Sequence, residues 1–384
     1  MLAGFAASGS VGARNPLRSG MAALLGSYGA NTGLIGSSWW QAAVALSTVE
    51  TYAQVTGDMS YNSAIAGAFA LNSGGAFENE SDDDTAWWAL AWLQAYDLTH
   101  VPAYLAMAET DADYIHRGWD ATCGGGVWWQ RNPRAYKNAI TNELFLELTA
   151  SLHNSIPGDA KYLGWAEAEW SWFDHSGLIN ANNLINDGLD DSCANNADVT
   201  WTYNQGVILA GLAQLYQATG NRSLLRRAER IATAAIGQLS PAGVLAEPCE
   251  RGGCAARLDT NTQSFKGIFV RDLKVLAVTA GTPQFDSFFR TQTQSIEAHD
   301  TGGHHELGMF WAGPVRRVSS SSQASALDAL IASVRLPLPA APAHWERRER
   351  WERWERWNLP GIAWAERVHL RPTGQVSVLI LLTD

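Results

Sequence analysis

Residues 204–239 read NQGVILAGLAQLYQATGNRSLLRRAERIATAAIGQL. Apolar residues at three-and-four spacing flank Thr219-Gly220-Asn221, which predicts two helices, 204–219 and 222–239, folded back on each other. Gly220 supplies a left-handed stop, and Asn221 caps the helix that follows. The same punctuation recurs at Thr56-Gly57-Asp58, Asp97 to His100, Pro157-Gly158-Asp159 and Ala280-Gly281-Thr282. Extending the periodicity outward adds helices at 16–27, 38–55, 60–72, 82–97, 101–118, 138–155, 159–176, 262–281, 283–299 and 321–334, twelve in all,. Strand signals are nearly absent until the last dozen residues.

Long Gly- and Asn-rich loops at 28–37, 73–81, 119–137, 177–203, 240–261 and 300–320 separate the hairpins. The pattern is an internal repeat of roughly 40 to 60 residues. Helical hairpins closed into a ring form an (α/α)6 barrel, an all-α fold, and its long loops gather at one end, where a site belongs. The competitor is an open solenoid, whose repeats are more uniform in length. This reading divides the chain into an irregular 1–15, a barrel over 16–334, and a Pro- and Ala-rich linker running into a Trp-Glu-Arg repeat over 335–384. The tail is either a Trp stripe for a partner or a low-complexity appendage.

The 384 residues are 17% charged and 46% hydrophobic, which provides for a large core and argues against general disorder,. A net charge of −11 leaves no basic footprint for nucleic acid or an anionic membrane surface,. No basic n-region or apolar h-region of a secretory signal is visible in residues 1–15. Eighteen Trp among 39 aromatics exceed what a core needs for volume, so some rings are expected to line a binding surface,. Cys123, Cys193, Cys249 and Cys254 lack the paired spacing of a zinc site,. They are read either as two disulfides, with Cys123–Cys193 and Cys249–Cys254 one arrangement, or as four unrelated thiols.

The most reactive stretch is Asn79-Glu80-Ser81-Asp82-Asp83-Asp84-Thr85-Ala86-Trp87-Trp88. Crowding raises the pKa of at least one acid while the helix N-terminus lowers others, so the run can hold a protonated acid beside a carboxylate. Glycoside hydrolysis needs that split. The alternatives are a simple N-cap by Ser81 and the acids, or calcium, for which no EF-hand spacing is present. Other loop ends mix amides with aromatics: Trp39-Trp40, Trp128-Trp129, Tyr136-Lys137-Asn138, Thr141-Asn142-Glu143, Trp201 to Gly206, and Phe265-Lys266-Gly267. Stacking and neutral hydrogen bonds suit a polyhydroxyl ligand.

These motifs resemble glycoside hydrolase family 76, the endo-α-1,6-mannanases, over roughly residues 16–334. The resemblance is carried by Ser38-Trp39-Trp40-Gln41-Ala42, Asp83-Asp84-Thr85-Ala86-Trp87-Trp88, Cys123-Gly124-Gly125-Gly126-Val127-Trp128-Trp129 and Tyr136-Lys137-Asn138. Further carriers are Thr202-Tyr203-Asn204-Gln205-Gly206, Phe265-Lys266-Gly267-Ile268-Phe269 and Trp311-Ala312-Gly313-Pro314. It implies a retaining mechanism with Asp83 as nucleophile and Asp84 as general acid/base. The expected ligand contacts are Trp39, Trp40, Trp87, Trp88, Trp128, Trp129, Tyr136, Asn138, Asn142, Tyr203, Asn204, Gln205, Phe265 and Lys266. The implied substrate is α-1,6-mannan, with no metal, cofactor or nucleic acid, a monomeric state, and a secreted or cell-wall location. The rival readings are a mannan or anchor-glycan transglycosylase on the same scaffold and a non-catalytic carbohydrate-binding protein.

Overall fold

The computed structural model describes residues 14–334 apart from 253, 255 and 256. The expected linker and Trp-Glu-Arg tail, 335–384, and most of the irregular N-terminus lie outside the described residues.

Six helices are buried nearly all round: α2 (Trp39–Thr56), α4 (Asp82–Thr99), α6 (Ala139–Ser155), α8 (Thr202–Thr219), α10 (Thr262–Ala280) and α12 (Ser320–Ala332). Each packs on the next, and α12 packs back on α2, which closes the ring and excludes the open solenoid. The other six form an outer layer: α1 (Arg14–Leu25) on α12, and α3 (Asn62–Asn72), α5 (Pro102–His116), α7 (Lys161–His175), α9 (Arg222–Leu239) and α11 (Asp286–His299), each following its inner helix through a short turn. The architecture is an (α/α)6 barrel. Every inner helix is entered by a long loop, so six helix N-termini meet at one end.

The predicted turns stop their helices as expected, with Gly57, Gly220 and Gly281 left-handed and His100 taking the same conformation after α4,. Close approach of inner helices depends on missing side chains. A Cβ on Gly267 of α10 would stand 2.3 Å from the Ser325 Cα of α12, and one on Gly206 of α8 would stand 2.5 Å from the Phe269 Cα.

Within the long loop 117–138 a two-residue hairpin, β1 (Gln130–Arg131) with β2 (Arg134–Ala135), escaped the sequence reading because two residues show no alternation,. The cysteines pair as Cys123–Cys193 and Cys249–Cys254, which tie loops at the helix-entry end. Lower in the barrel, half-buried Arg271 lies 3.5 Å from Asp272 and 3.8 Å from Asp328. Burial pushes Asp272 up to about 6, Asp328 up to about 7 and Glu50 well above the carboxylate range, so this acidic interior carries less charge than its composition suggests,.

Candidate active site

Asp83 and Asp84 open α4 at the end where the loops converge, and both are half-buried. The capping reading fails. Ser81 makes no side-chain cap, Asp82 turns to Arg131 at 2.7 Å, and an Asp83 oxygen accepts the Asp84 N–H at 3.0 Å. Burial, and then the adjacent Asp84 charge, pushes Asp83 well above its ordinary value; burial pushes Asp84 up to about 6. The pair therefore gives up its protons in two separate steps and holds one of them over a range of pH. Asp83 accepts the Asp84 N–H at 3.0 Å, which favours its charged form,.

The surrounding wall is aromatic. Trp40 stacks over Trp87 with centroids 5.9 Å apart, and Tyr203 lies parallel to Phe265 at 3.8 Å. Trp129 meets Tyr136 edge-on at 6.4 Å. Trp39, Trp40, Trp128, Trp129, Tyr136 and Tyr203 keep part of their surface exposed, as stacking on a ligand requires,.

Several expected ligand contacts are corrected by burial. Trp88 is fully enclosed against Trp39, Phe77 and Trp92, and Trp87 is nearly so, because α4 is packed on every side. Asn142 spends its amide on the Val127 N–H and C=O, Gln205 on the Ile185 N–H and C=O, and Asn138 caps α6. Lys266 is sealed between Glu250 at 2.7 Å and the Met309 carbonyl at 2.6 Å. Phe265 lies buried against Tyr203, and Asn204 is fully buried with its amide unpartnered. These side chains are enclosed by the protein in this structure.

Sequence reasoning missed Asp187. Its carboxylate accepts the Tyr136 hydroxyl at 2.7 Å, and Asn196 donates to the same hydroxyl at 2.8 Å. Burial raises Asp187 despite the hydrogen bond from Tyr136. Burial, followed by the charges of Asp187, Asp83 and Glu143, pushes the Tyr203 phenol up, which groups these residues on one floor. No local pattern marks Asp187 within its Asn-rich loop; its partner is 51 residues away.

Lys137 was passed over for its neighbours. Its ammonium reaches Asp120 Oδ1 at 3.0 Å and the carbonyls of Thr122, Gly125 and Gly126 at 2.7, 2.5 and 2.9 Å. Against burial, which alone would raise it, hydrogen bonds from Trp128, Lys137 and the Thr122 N–H hold Asp120 well below the carboxylate range. The disulfide Cys123–Cys193 anchors the same loop. Among the described residues no cluster of His, Cys, Asp and Glu could hold a metal, and no helix is long and apolar enough to cross a membrane.

The sequence profile of glycosyl hydrolase family 76 matches residues 21–341. The mannan endo-1,6-alpha-mannosidase DCW1 of Saccharomyces cerevisiae is 27% identical over 344 aligned residues, covering 82% of this chain and 76% of the yeast protein. In fold, the chain is similar to the GH76A alpha-1,6-mannanase of Salegentibacter sp. HEL1_6, with a TM-score of 0.75, 24% identity, and 84% and 98% of the two chains covered. An inactive variant of that bacterial protein, with two consecutive aspartates changed to asparagine and alpha-1,6-mannotriose bound, superposes with a TM-score of 0.73, 24% identity and the same coverage.

Proposed function

The chain belongs to glycosyl hydrolase family 76, and from that membership we propose that it is an endo-acting α-1,6-mannanase that cleaves with retention at Asp83 and Asp84. The observation that carries the reading is the adjacent, half-buried, mutually repelling pair at the start of α4, inside a partly exposed aromatic wall. Consecutive aspartates occur in the described chain only at 82–84 and at 190–191, and the latter pair is solvent-exposed, away from the inner helices. The bacterial relative's two consecutive aspartates therefore have one fitting counterpart.

In the proposed cycle Asp84 gives its proton to the glycosidic oxygen while the Asp83 carboxylate attacks the anomeric carbon of the departing mannose. The leaving chain takes the proton, and a mannosyl ester forms on Asp83. Asp84, now ionised, accepts a proton from water as the water attacks the same carbon, which releases Asp83 and gives an α-anomer. The Asp84 N–H at 3.0 Å and the N-terminal dipole of α4 favour charge on Asp83, against the burial that raises both acids, and the adjacent pair shares a proton that substrate can draw from Asp84,. Half-exposed Trp39, Trp40, Trp128 and Trp129 would stack on sugar faces. The two disulfides support maturation in an oxidising compartment, in keeping with a secreted or cell-wall protein,.

Digestion of linear α-1,6-mannan, read by sizing and by anomeric NMR, tests the proposal. A ladder of short oligosaccharides appearing first as α-anomers is expected. First-formed β-anomers would overturn retention, and an intact polymer would overturn hydrolysis. Adding a glucan acceptor separates transfer from hydrolysis: label moving onto the glucan in place of free oligosaccharides would replace the hydrolase reading.

The pair also sets a pH profile. Below the first proton loss both acids are protonated and no nucleophile exists; above the second both are ionised and no acid remains. We expect kcat/KM to rise through about 6 and to fall only well above it, in a bell-shaped profile,. A profile rising through pH 4, as for unperturbed carboxylates, would contradict the role of burial.

A further inference from the structure

We propose that Asn221 is an N-glycosylation site: in the folded protein its side-chain amide carries an oligosaccharide, while the second Asn-x-Ser sequence, at Asn79, stays unmodified. The inference rests on the reading of a protein that matures in an oxidising secretory compartment, and it does not depend on what the enzyme cleaves.

The chain holds two Asn-x-Ser triplets, Asn79-Glu80-Ser81 and Asn221-Arg222-Ser223. Such a triplet accepts a glycan where it stands on the surface of a secreted protein. Folding separates the two. Asn221, Arg222 and Ser223 are all exposed, where the α8–α9 turn opens α9. That turn lies at the barrel end opposite the long loops: α8 starts at Thr202, beside the aromatic wall, and runs 18 residues, about 27 Å, before it,. Asn79 and Ser81 are half-buried, in the loop that enters α4 just before the Asp83–Asp84 pair. Asn79 is tied on three sides. Its N–H donates to Thr85 Oγ1 at 2.9 Å, its carbonyl accepts the Tyr114 hydroxyl at 3.0 Å, and its Oδ1 accepts the Ser81 N–H at 3.0 Å. An oligosaccharide on that side chain would stand among these contacts, at the entrance to the helix that carries the acids.

The Asn221 side chain is also arranged for the transfer. Its Oδ1 accepts the Ser223 N–H at 3.0 Å and the Ser223 hydroxyl at 2.7 Å, whereas Ser81 gives Asn79 no hydroxyl bond among the described residues. Both bonds at Asn221 span two residues, so local sequence can form them before the helices pack. In the transfer, Nδ2 attacks the anomeric carbon of an oligosaccharide carried on a lipid diphosphate, the donor class of that compartment. The C–N bond forms, and the anomeric C–O bond breaks with its electron pair on the departing lipid diphosphate. One Nδ2 proton passes to a base of the transferring enzyme. A hydroxyl donating to Oδ1 draws charge onto the oxygen and eases the loss of that proton. The product keeps the fold, because the α9 cap uses Oδ1 alone and the modified amide retains it,.

The test expresses the full chain behind a secretory leader in a eukaryotic host, as wild type, Asn221→Asp, Ser223→Ala and Asn79→Gln. Intact mass is read before and after an amidase that releases N-linked glycans, and peptide mapping finds the aspartate that the amidase leaves where a glycan stood. Wild type and Asn79→Gln are each expected to carry one oligosaccharide, at Asn221, and Asn221→Asp and Ser223→Ala to carry none. Aspartate is as good a cap as asparagine, so loss of the glycan in Asn221→Asp is not a failure to fold; Ser223→Ala removes the triplet and keeps the asparagine. Wild-type protein secreted with both disulfides formed and position 221 bare overturns the proposal, as does a glycan on Asn79, alone or beside one on Asn221. Free thiols in the secreted protein would instead overturn the reading of oxidative maturation, and the mass step, which needs neither disulfides nor turnover, still decides the site.

Discussion

Asparagine at position 83, and separately at position 84, is expected to lower kcat/KM on linear α-1,6-mannan by at least about 10³-fold, with circular dichroism unchanged and Tm equal to or above that of wild type. The sign of the stability effect follows from burial. Both folded-state pKa values lie above the unfolded value, so the pair destabilises the fold as pH rises past about 4, and a neutral amide of the same shape removes that penalty,. A catalytic pair maintained against stability is the usual trade at an active site. The two variants are not equivalent. A substrate with an activated leaving group needs no proton, so Asp84→Asn should regain glycosylation on such a substrate while Asp83→Asn, lacking the nucleophile, stays inactive. Recovery in Asp83→Asn and not in Asp84→Asn would exchange the two roles. Full activity of either variant on mannan would remove the pair from the chemistry.

The barrel was legible because its information is local. Periodicity located all twelve helices to within a few residues, and Gly57, Gly220 and Gly281 marked stops that the structure places in the left-handed region. The acid pair proposed to be catalytic stood out for a related reason: three acids at the head of an apolar helix conflict with the burial around them, and such a conflict needs an explanation. Trp87 and Trp88 misled because tandem rings on a helix every face of which is packed belong to the core. The contacts that shape the site were not legible, since they join residues remote in sequence: Arg131 to Asp82 across 49 residues, Tyr136 to Asp187 across 51, and Trp40 to Asn261 across 221. No spacing rule encodes such pairs; the closed ring brings them together.

Lys137 provides the largest expected stability effect among these long-range contacts. Methionine at this position keeps the aliphatic stem and removes the charge, leaving the Asp120 carboxylate and the Thr122, Gly125 and Gly126 carbonyls without the donor they share. The loop has little room to collapse onto the vacancy. A Cβ at Gly125 or Gly126 would already stand within 3 Å of the Trp172 ring, and the Trp172 indole N–H holds the Cys123 carbonyl at 2.9 Å. Asp120 is part-exposed and keeps Arg134 and Trp128, so the loss falls mainly on the buried carbonyls and costs about 1–3 kcal/mol,, and Tm should fall by roughly 2–6 °C in a thermal melt. Arginine should not rescue, because a planar guanidinium cannot take the place of a compact ammonium among converging carbonyls. The disulfide Cys123–Cys193 keeps the segment tethered, so loosening should begin locally at 120–129 and reach Trp128 and Trp129 before the barrel opens,. KM for mannan should therefore rise at temperatures where the circular dichroism is still that of the folded state. A Lys137→Met variant with wild-type Tm and only a raised KM would instead make this lysine a direct ligand contact. That outcome would require its ammonium to leave four oxygen partners for a sugar.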